Sequence, residues 1–258
     1  MFGFQSIERK VFNRNFLRKV IFQVQFDSCK NLKDNSEKIK TLFALEFPRY
    51  KLGRGGGVQI SFNKDKADFE ELKNRDNINL KSLDGQKTIN IEENSLLFEI
   101  EGSVYKSFED IRREFEKFDN FFSTSQIDQI KSLSIRKINI IEFKNESNPD
   151  GPNGILDALL NKSLINSNDS FPNMSNINHN IHSINFSKDD YLLNLNYGMK
   201  LLPQLNNERG QLIIDINLSL KNSITTKEIP TLSKNINDEI FNVFYWMLNE
   251  DAKSLLLS

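Results

Sequence analysis

Between Val20 and Phe26 apolar side chains recur at every second residue: Val20, Phe22, Val24 and Phe26 share one face of an extended chain, Ile21, Gln23 and Gln25 the other. A period of two places a half-buried β-strand there. The same period returns in GGVQISFN, where Val58, Ile60 and Phe62 alternate, and strands are expected in SLSIRKINIIEF, HSINFS, DYLLNLNYGMKL and GQLIIDINLSL. KTINIEE and SLLFEIEG flank a short polar turn at Glu93–Asn94 and read as a hairpin.

Helical spacing is confined to fewer segments. In DNSEKIKTLFALEFPRY the residues Ile39, Leu42, Phe43 and Phe47 line up, Asn35 or Ser36 caps the start and Pro48 marks the end. SFEDIRREFEKFDNFF sets Phe108, Ile111, Phe115, Phe118 and Phe122 on one side, behind a cap-like Ser107 and Asp110. SKNINDEIFNVFYWML does the same with Ile236, Ile240, Val243, Phe244 and Met247. Residues 144–183 break both periods: KNESNPDGPNG and NSNDSFPNMSNINHNIHS surround one short helical piece, ILDALLNKSLI. The expected fold is α+β, with two mostly antiparallel sheet-plus-helix halves at 1–143 and 184–258 joined by an Asn-rich loop segment at 144–183.

A chain of 258 residues is long enough to bury a substantial core, and 21 Phe against one Trp make that core Phe-led. Charges balance, with 34 Lys and Arg against 35 Asp and Glu, so no global basic field attracts nucleic acid or an anionic membrane. The frequent Asn, Ile and Lys read as codon bias before function. The single cysteine, Cys29, excludes an internal disulfide and an all-Cys metal site. The first residues, MFGFQSIERKVF, lack a signal-peptide core, and no apolar run approaches membrane-spanning length. A cytoplasmic protein is expected.

GRGGG at 53–57 invites a phosphate-loop reading. A Walker loop needs a strand before it, Gly-Lys-Ser or Gly-Lys-Thr within it and a helix after it; here a helix precedes, a strand follows and the lysine is absent. The dinucleotide glycine spacing fails as well. The expectation is a hinge or wide turn, with Arg54 left for an anion contact.

Other chemistry is sparse. HNIH (His179, His182) sits in an Asn-rich segment without the Glu of H-E-x-x-H, so no metal site is assigned. Cys29 has no partner in sequence and reads as an incidental thiol. No catalytic residue and no cofactor is assigned. Asp215 inside LIIDINL and Arg136 inside LSIRKINII are opposite charges in apolar strands, able to form an ion pair linking the two halves. The segment ERKVFNRNFLRK carries Arg9, Lys10, Arg14, Arg18 and Lys19; with Arg54 these form the best nucleic-acid footprint, set against the ordinary reading of a solvated arm.

NFLRKVIFQVQF (Asn15–Phe26) resembles the opening box N-P-L-x-E-V-x-x-Q-x-R-F of a sporadically distributed family of uncharacterised prokaryotic proteins. Asn15, Leu17, Val20, Gln23 and Phe26 match; Phe16, Lys19 and Gln25 depart. IRKIN (Ile135–Asn139) is similar to the family's central L-R-Y-I-N strand, with Lys137 for Tyr. LNLNYG and LIIDIN resemble its later strand pair, Asp215 falling on the first Asp of D-x-D and Asn217 departing from the second. NDEIFNVFYWML resembles its closing helix, with Asn237 where His is often found. The resemblance implies a two-part α+β fold and no established activity, and the family's patchy distribution suggests mobile conflict genes such as phage-defence or toxin systems. The expected function is a non-enzymatic interaction or assembly subunit with a protein partner; the alternative is a nucleic-acid-binding accessory using the basic arm.

Overall fold

The computed structural model describes residues 1–8, 16–29, 32–63, 66–144, 154–165, 178–205 and 209–257, and of 54–63, 66–75, 204, 255 and 257 the backbone only. The fold is α+β, with helices beside antiparallel strands. Two compact units divide the chain: a terminal unit of Met1–Val20, Ser134–Lys221 and Thr231–Ser258, and a central unit of Ile21–Leu133 and Asn222–Pro230.

In the central unit the strand order is β2 (Arg49–Asn63), β3 (Lys66–Lys81), β4 (Lys87–Glu92), β5 (Ser95–Glu101), β1 (Leu17–Phe26) and β6 (Gln129–Lys144), with β10 (Ile224–Thr225) also paired to β6. β1 enters this unit from Ile21, and β6 leaves it after Leu133. The glycine stretch is no turn. β2 runs through it, Gly53 opposite Asn77 and Arg54 opposite Asp76, with a register shift between Gly55 and Gly57. Its partner is the charged stretch after it, which carries no alternation but is held by the ladder as β3. From the Gly55–Arg75 pair to the Gly57–Leu72 pair the chain advances two residues on β2 and three on β3, so the extra residue of the bulge lies on β3, opposite the glycines.

Helices α1 (Ser36–Phe43), α2 (Glu109–Arg112) and α3 (Phe115–Thr124) complete this unit. The Phe-rich helix expected over 107–122 is broken into α2 and α3. Asp110 accepts from the backbone N–H groups of Lys106 (2.6 Å) and Ser107 (2.9 Å), and Ser107 accepts from Glu109 N–H, so the start is capped as its sequence suggests. Phe118 is the hub of the core: its ring meets Phe22 (5.7 Å, stacked), Phe98 (5.7 Å, edge-on), Phe43 and Phe115 (both 6.3 Å).

In the terminal unit the order is β6, β9 (Arg209–Leu220), β8 (Tyr191–Leu201) and β7 (His179–Lys188). Leu193, Leu195, Tyr197 and Met199 of β8 and Leu212, Ile214, Ile216 and Leu218 of β9 are buried, as are Ile236, Ile240, Val243 and Met247 of α5 (Ile229–Met247). α5 begins earlier than its apolar spacing suggests, after a capping box in which Glu228 receives both the N–H and the hydroxyl of Thr225 at 2.8 Å. Pro230 near the first turn leaves no helical hydrogen bond missing. α4 (Gly154–Leu159) and α6 (Glu250–Leu257) are short. The first residues lie along α5: Phe2 N–H donates to Glu239 (2.7 Å), Ile7 N–H to Asn242 (3.2 Å), and the Phe4 ring packs on Trp246 (5.0 Å) and Phe186 (6.5 Å).

Gly198 fixes the closest backbone approach. A Cβ there would lie 1.9 Å from the Asn180 carbonyl oxygen and 2.8 Å from the Ile181 Cα, and its φ of +148° disfavours other residues. Gly198→Ala is therefore expected to push β7 from β8 and cost about 2–4 kcal/mol in a denaturant melt.

Candidate functional site: the β7 edge and its sheet face

The site is built on the parity of the β7–β8 ladder. Opposite residues in an antiparallel pair alternate between those that exchange both backbone hydrogen bonds and those that exchange none. Leu201 N–H donates to the Asn178 carbonyl at 2.8 Å, which makes Asn178 and Leu201 a bonded pair. Counting along the unbroken register, His182 with Tyr197, Ile184 with Leu195 and Phe186 with Leu193 are bonded. Ile181, Ser183, Asn185 and Ser187 are then the unbonded positions, so their N–H and C=O groups point away from β8. β7 is the last strand of its order, and among the described residues no strand lies on that side.

The side chains divide by the same parity. Ser183, Asn185 and Ser187 are exposed and Ile181 is 38% exposed, whereas His182, Ile184 and Phe186 are half-buried. His182 stacks on Tyr197 at 5.3 Å, and Tyr197 donates its hydroxyl to the Leu164 carbonyl at 2.9 Å. His179 and His182 lie three apart on a strand and so face opposite sides, which separates the imidazoles. Among the described residues no cluster of His, Cys, Asp and Glu could hold a metal ion.

On the open sheet face the register aligns polar rungs: Ser183 with Asn196 and Asp215, and Asn185 with Asn194 and Asn217. Asp215 is only 6% exposed and takes a two-pronged ion pair from Arg136, Nε to Oδ1 at 2.8 Å and Nη2 to Oδ2 at 2.6 Å. These hydrogen bonds, against the opposing pull of burial, hold the Arg136 guanidinium above its ordinary pKa. Both residues belong to the terminal unit, so the pair ties β6 to β9 within that unit. A carboxylate engaged through both oxygens is poorly placed to move protons.

The other sequence candidates are dispersed. Arg18 is exposed and Lys19 half-buried on β1; Arg9, Lys10 and Arg14 lie outside the described residues, as does the Arg54 side chain. Cys29 is buried, and burial pushes its thiol pKa up, away from the reactive thiolate.

A charge cluster in the central unit escaped the sequence reading. Glu114, 1% exposed, is met by Lys117 at 2.8 Å and Lys87 at 3.7 Å, and Lys117 also bonds Glu46. Burial raises the Glu114 pKa despite Lys117. At Glu46 burial is the strongest single pull and acts upward, but the hydrogen bonds with Lys117 and Glu114 and the charges of Lys117 and Lys87 together bring the pKa down. Burial works against the charge of Lys117, yet both carboxylates hold its pKa up. Glu114 and Lys117 stand three apart across the start of α3, a spacing that could have flagged the pair.

No protein-family model and no curated protein matches this chain. Among the described residues no helix is long and apolar enough to cross a membrane.

Two stability predictions test these charges. Arg136→Ala strands a buried carboxylate and should cost about 3 kcal/mol, whereas Asp215→Asn releases a half-exposed guanidinium to water and should cost about 1 kcal/mol, both read from urea midpoints. Lys117→Met should cost about 3 kcal/mol at pH 7. A raised carboxyl pKa favours the fold only where the group is protonated, so that deficit should shrink as pH falls through the carboxylate range, in melts at pH 7 and 4.5.

Proposed function

We propose that this chain is a non-enzymatic protein-interaction or assembly subunit that works in the cytoplasm, in keeping with its resemblance to a patchily distributed, conflict-type prokaryotic family. The observation that carries this reading is the outer edge of β7, beside which no strand lies among the described residues. A strand edge with its amides and carbonyls in register is a template for an extended segment of a partner, main-chain bonds supplying affinity and alternate side chains specificity. Natural edges not meant for pairing carry charges, prolines or bulges. Asn180–Ser187 has no Pro, Lys, Arg, Asp or Glu, and its register is unbroken.

Ser183→Pro is the sharpest test. The Ser183 N–H points outward, so proline removes a bond to a partner and none to β8. Tagged protein purified from the cells that make it, after nuclease and a high-salt wash, should carry a stoichiometric protein partner that Ser183→Pro loses. The same partner held equally by both forms would overturn the edge as the interaction surface.

Nucleic-acid binding is favoured by one observation. Arg49 and Lys81 stand directly opposite one another on β2 and β3, with Lys51 two residues along, and all are exposed. Like charges opposite one another destabilise a sheet unless an anion bridges them. Phosphate contact there predicts binding of single-stranded oligonucleotides that weakens steeply with salt, with a shallower slope in the double variant Arg49→Gln, Lys81→Gln.

A further inference from the structure

We infer that the occupant of the β7 edge is the β7 strand of a second copy of this chain, laid antiparallel about a two-fold axis at Ile184. This rests on the interaction reading and names its partner. The parity derived above restricts the register, because outward groups must meet outward groups: Ile181, Ser183, Asn185 and Ser187 of one copy pair with members of the same set in the other.

Neighbouring registers are separated by charge and by packing. With the axis at Asn185, the exposed Lys188 ammonium is set against the half-buried His182 ring. With the axis at Ser183, Ile184 meets His182 and Phe186 meets Asn180, apolar against polar. With the axis at Ile184, Ile184 meets itself, His182 meets Phe186, Ser183 meets Asn185, Ile181 meets Ser187, and His179 lies opposite Asp189 at the strand ends. On the half-buried face an aliphatic pair is flanked by aromatic pairs, and on the exposed face Ser183 is matched with Asn185 at the centre while Ile181 meets Ser187 toward the ends. The Asn185, Asn194 and Asn217 rung then runs on into the Ser183 rung of the second copy. An isologous contact of this kind closes on itself and leaves no further edge on β7.

One strand pair buries little surface, so the dimer should be reversible, with dissociation across about 1–100 µM. The test is sedimentation velocity across that range on the parent chain and Ser183→Pro, with Ile184→Cys under mild oxidation. Opposite residues at the axis do not exchange hydrogen bonds and lie about 4.5 Å apart at Cα, within disulfide reach. Cys29 is buried and does not compete. The expected result is a concentration-dependent dimer for the parent, a monomer with an unchanged melt for Ser183→Pro, and a disulfide-linked dimer for Ile184→Cys. Ser183→Cys with Asn185→Cys, both exposed, is the second crosslinking variant should Ile184→Cys fold poorly. A parent that stays monomeric throughout, or a dimer that Ser183→Pro leaves intact, would overturn self-pairing. If the monomeric parent still loses a different protein partner on Ser183→Pro, self-pairing alone falls and the interaction reading stands.

Discussion

Backbone hydrogen bonding is the constraint on which the functional edge depends. Each strand carries two rows of polar groups, and a strand inside a sheet pairs both. In the terminal unit β9 and β8 are inside the order, and β7 ends it. Which groups β7 leaves outward follows from register, and register here is pinned from both faces. A one-residue slip would turn Ile184 and Phe186 out and Ser183 and Asn185 in. Gly198 holds the same register by admitting the Asn180–Ile181 backbone into space that any side chain would fill. A single glycine on β8 thus helps decide which amides on β7 face outward.

Several buried polar groups elsewhere are already engaged. Asp215 is paired with Arg136, Glu239 and Asn242 accept backbone N–H groups from the first residues, Tyr197 donates to a carbonyl, and Glu114 is held between lysines. Each would be costly if left alone, and each has a partner within its own unit. Such pairs shape the fold. Among the described residues no strand takes up the outward row of β7, whose register is regular and continuous.

The sequence makes the strands legible wherever one face is buried and the other wet, as in Val20–Phe26 and in β8. The Phe faces of α1 and α3 are equally clear, and Arg136 and Asp215 announce themselves as charges in apolar strands. What escapes has physical causes. β2 continues through GRGGG because β3 pairs with it, and neither glycines nor the charged stretch of β3 carry a period to show this. The 107–122 helix is interrupted at Arg113 and Glu114, where the Glu114 N–H turns to the Ile111 carbonyl three residues back, a detail that apolar spacing passes over. α5 starts at Ile229 because Thr225 and Glu228 cap the turn before it, outside the apolar pattern. The edge itself is invisible in sequence: HSINFS predicts a strand, but strand order is a tertiary property.

The terminal strands of the two units handle the edge problem differently. β2 carries Arg49 and Lys51 exposed near its start, a register shift at its glycines and Lys81 opposite Arg49. Positive charge and an irregular ladder both discourage a second chain from adding there. β7 has neither device over Asn180–Ser187: its exposed side chains are Ile181 and the small, neutral, hydrogen-bonding Ser183, Asn185 and Ser187, and its register is even. An unguarded edge of that length is an aggregation hazard unless something regularly occupies it. A two-fold partner would occupy the edge completely, because the strand it needs is already present at the same concentration, in the same register and with the same charges. That economy favours a second copy over any segment that would have to be supplied separately.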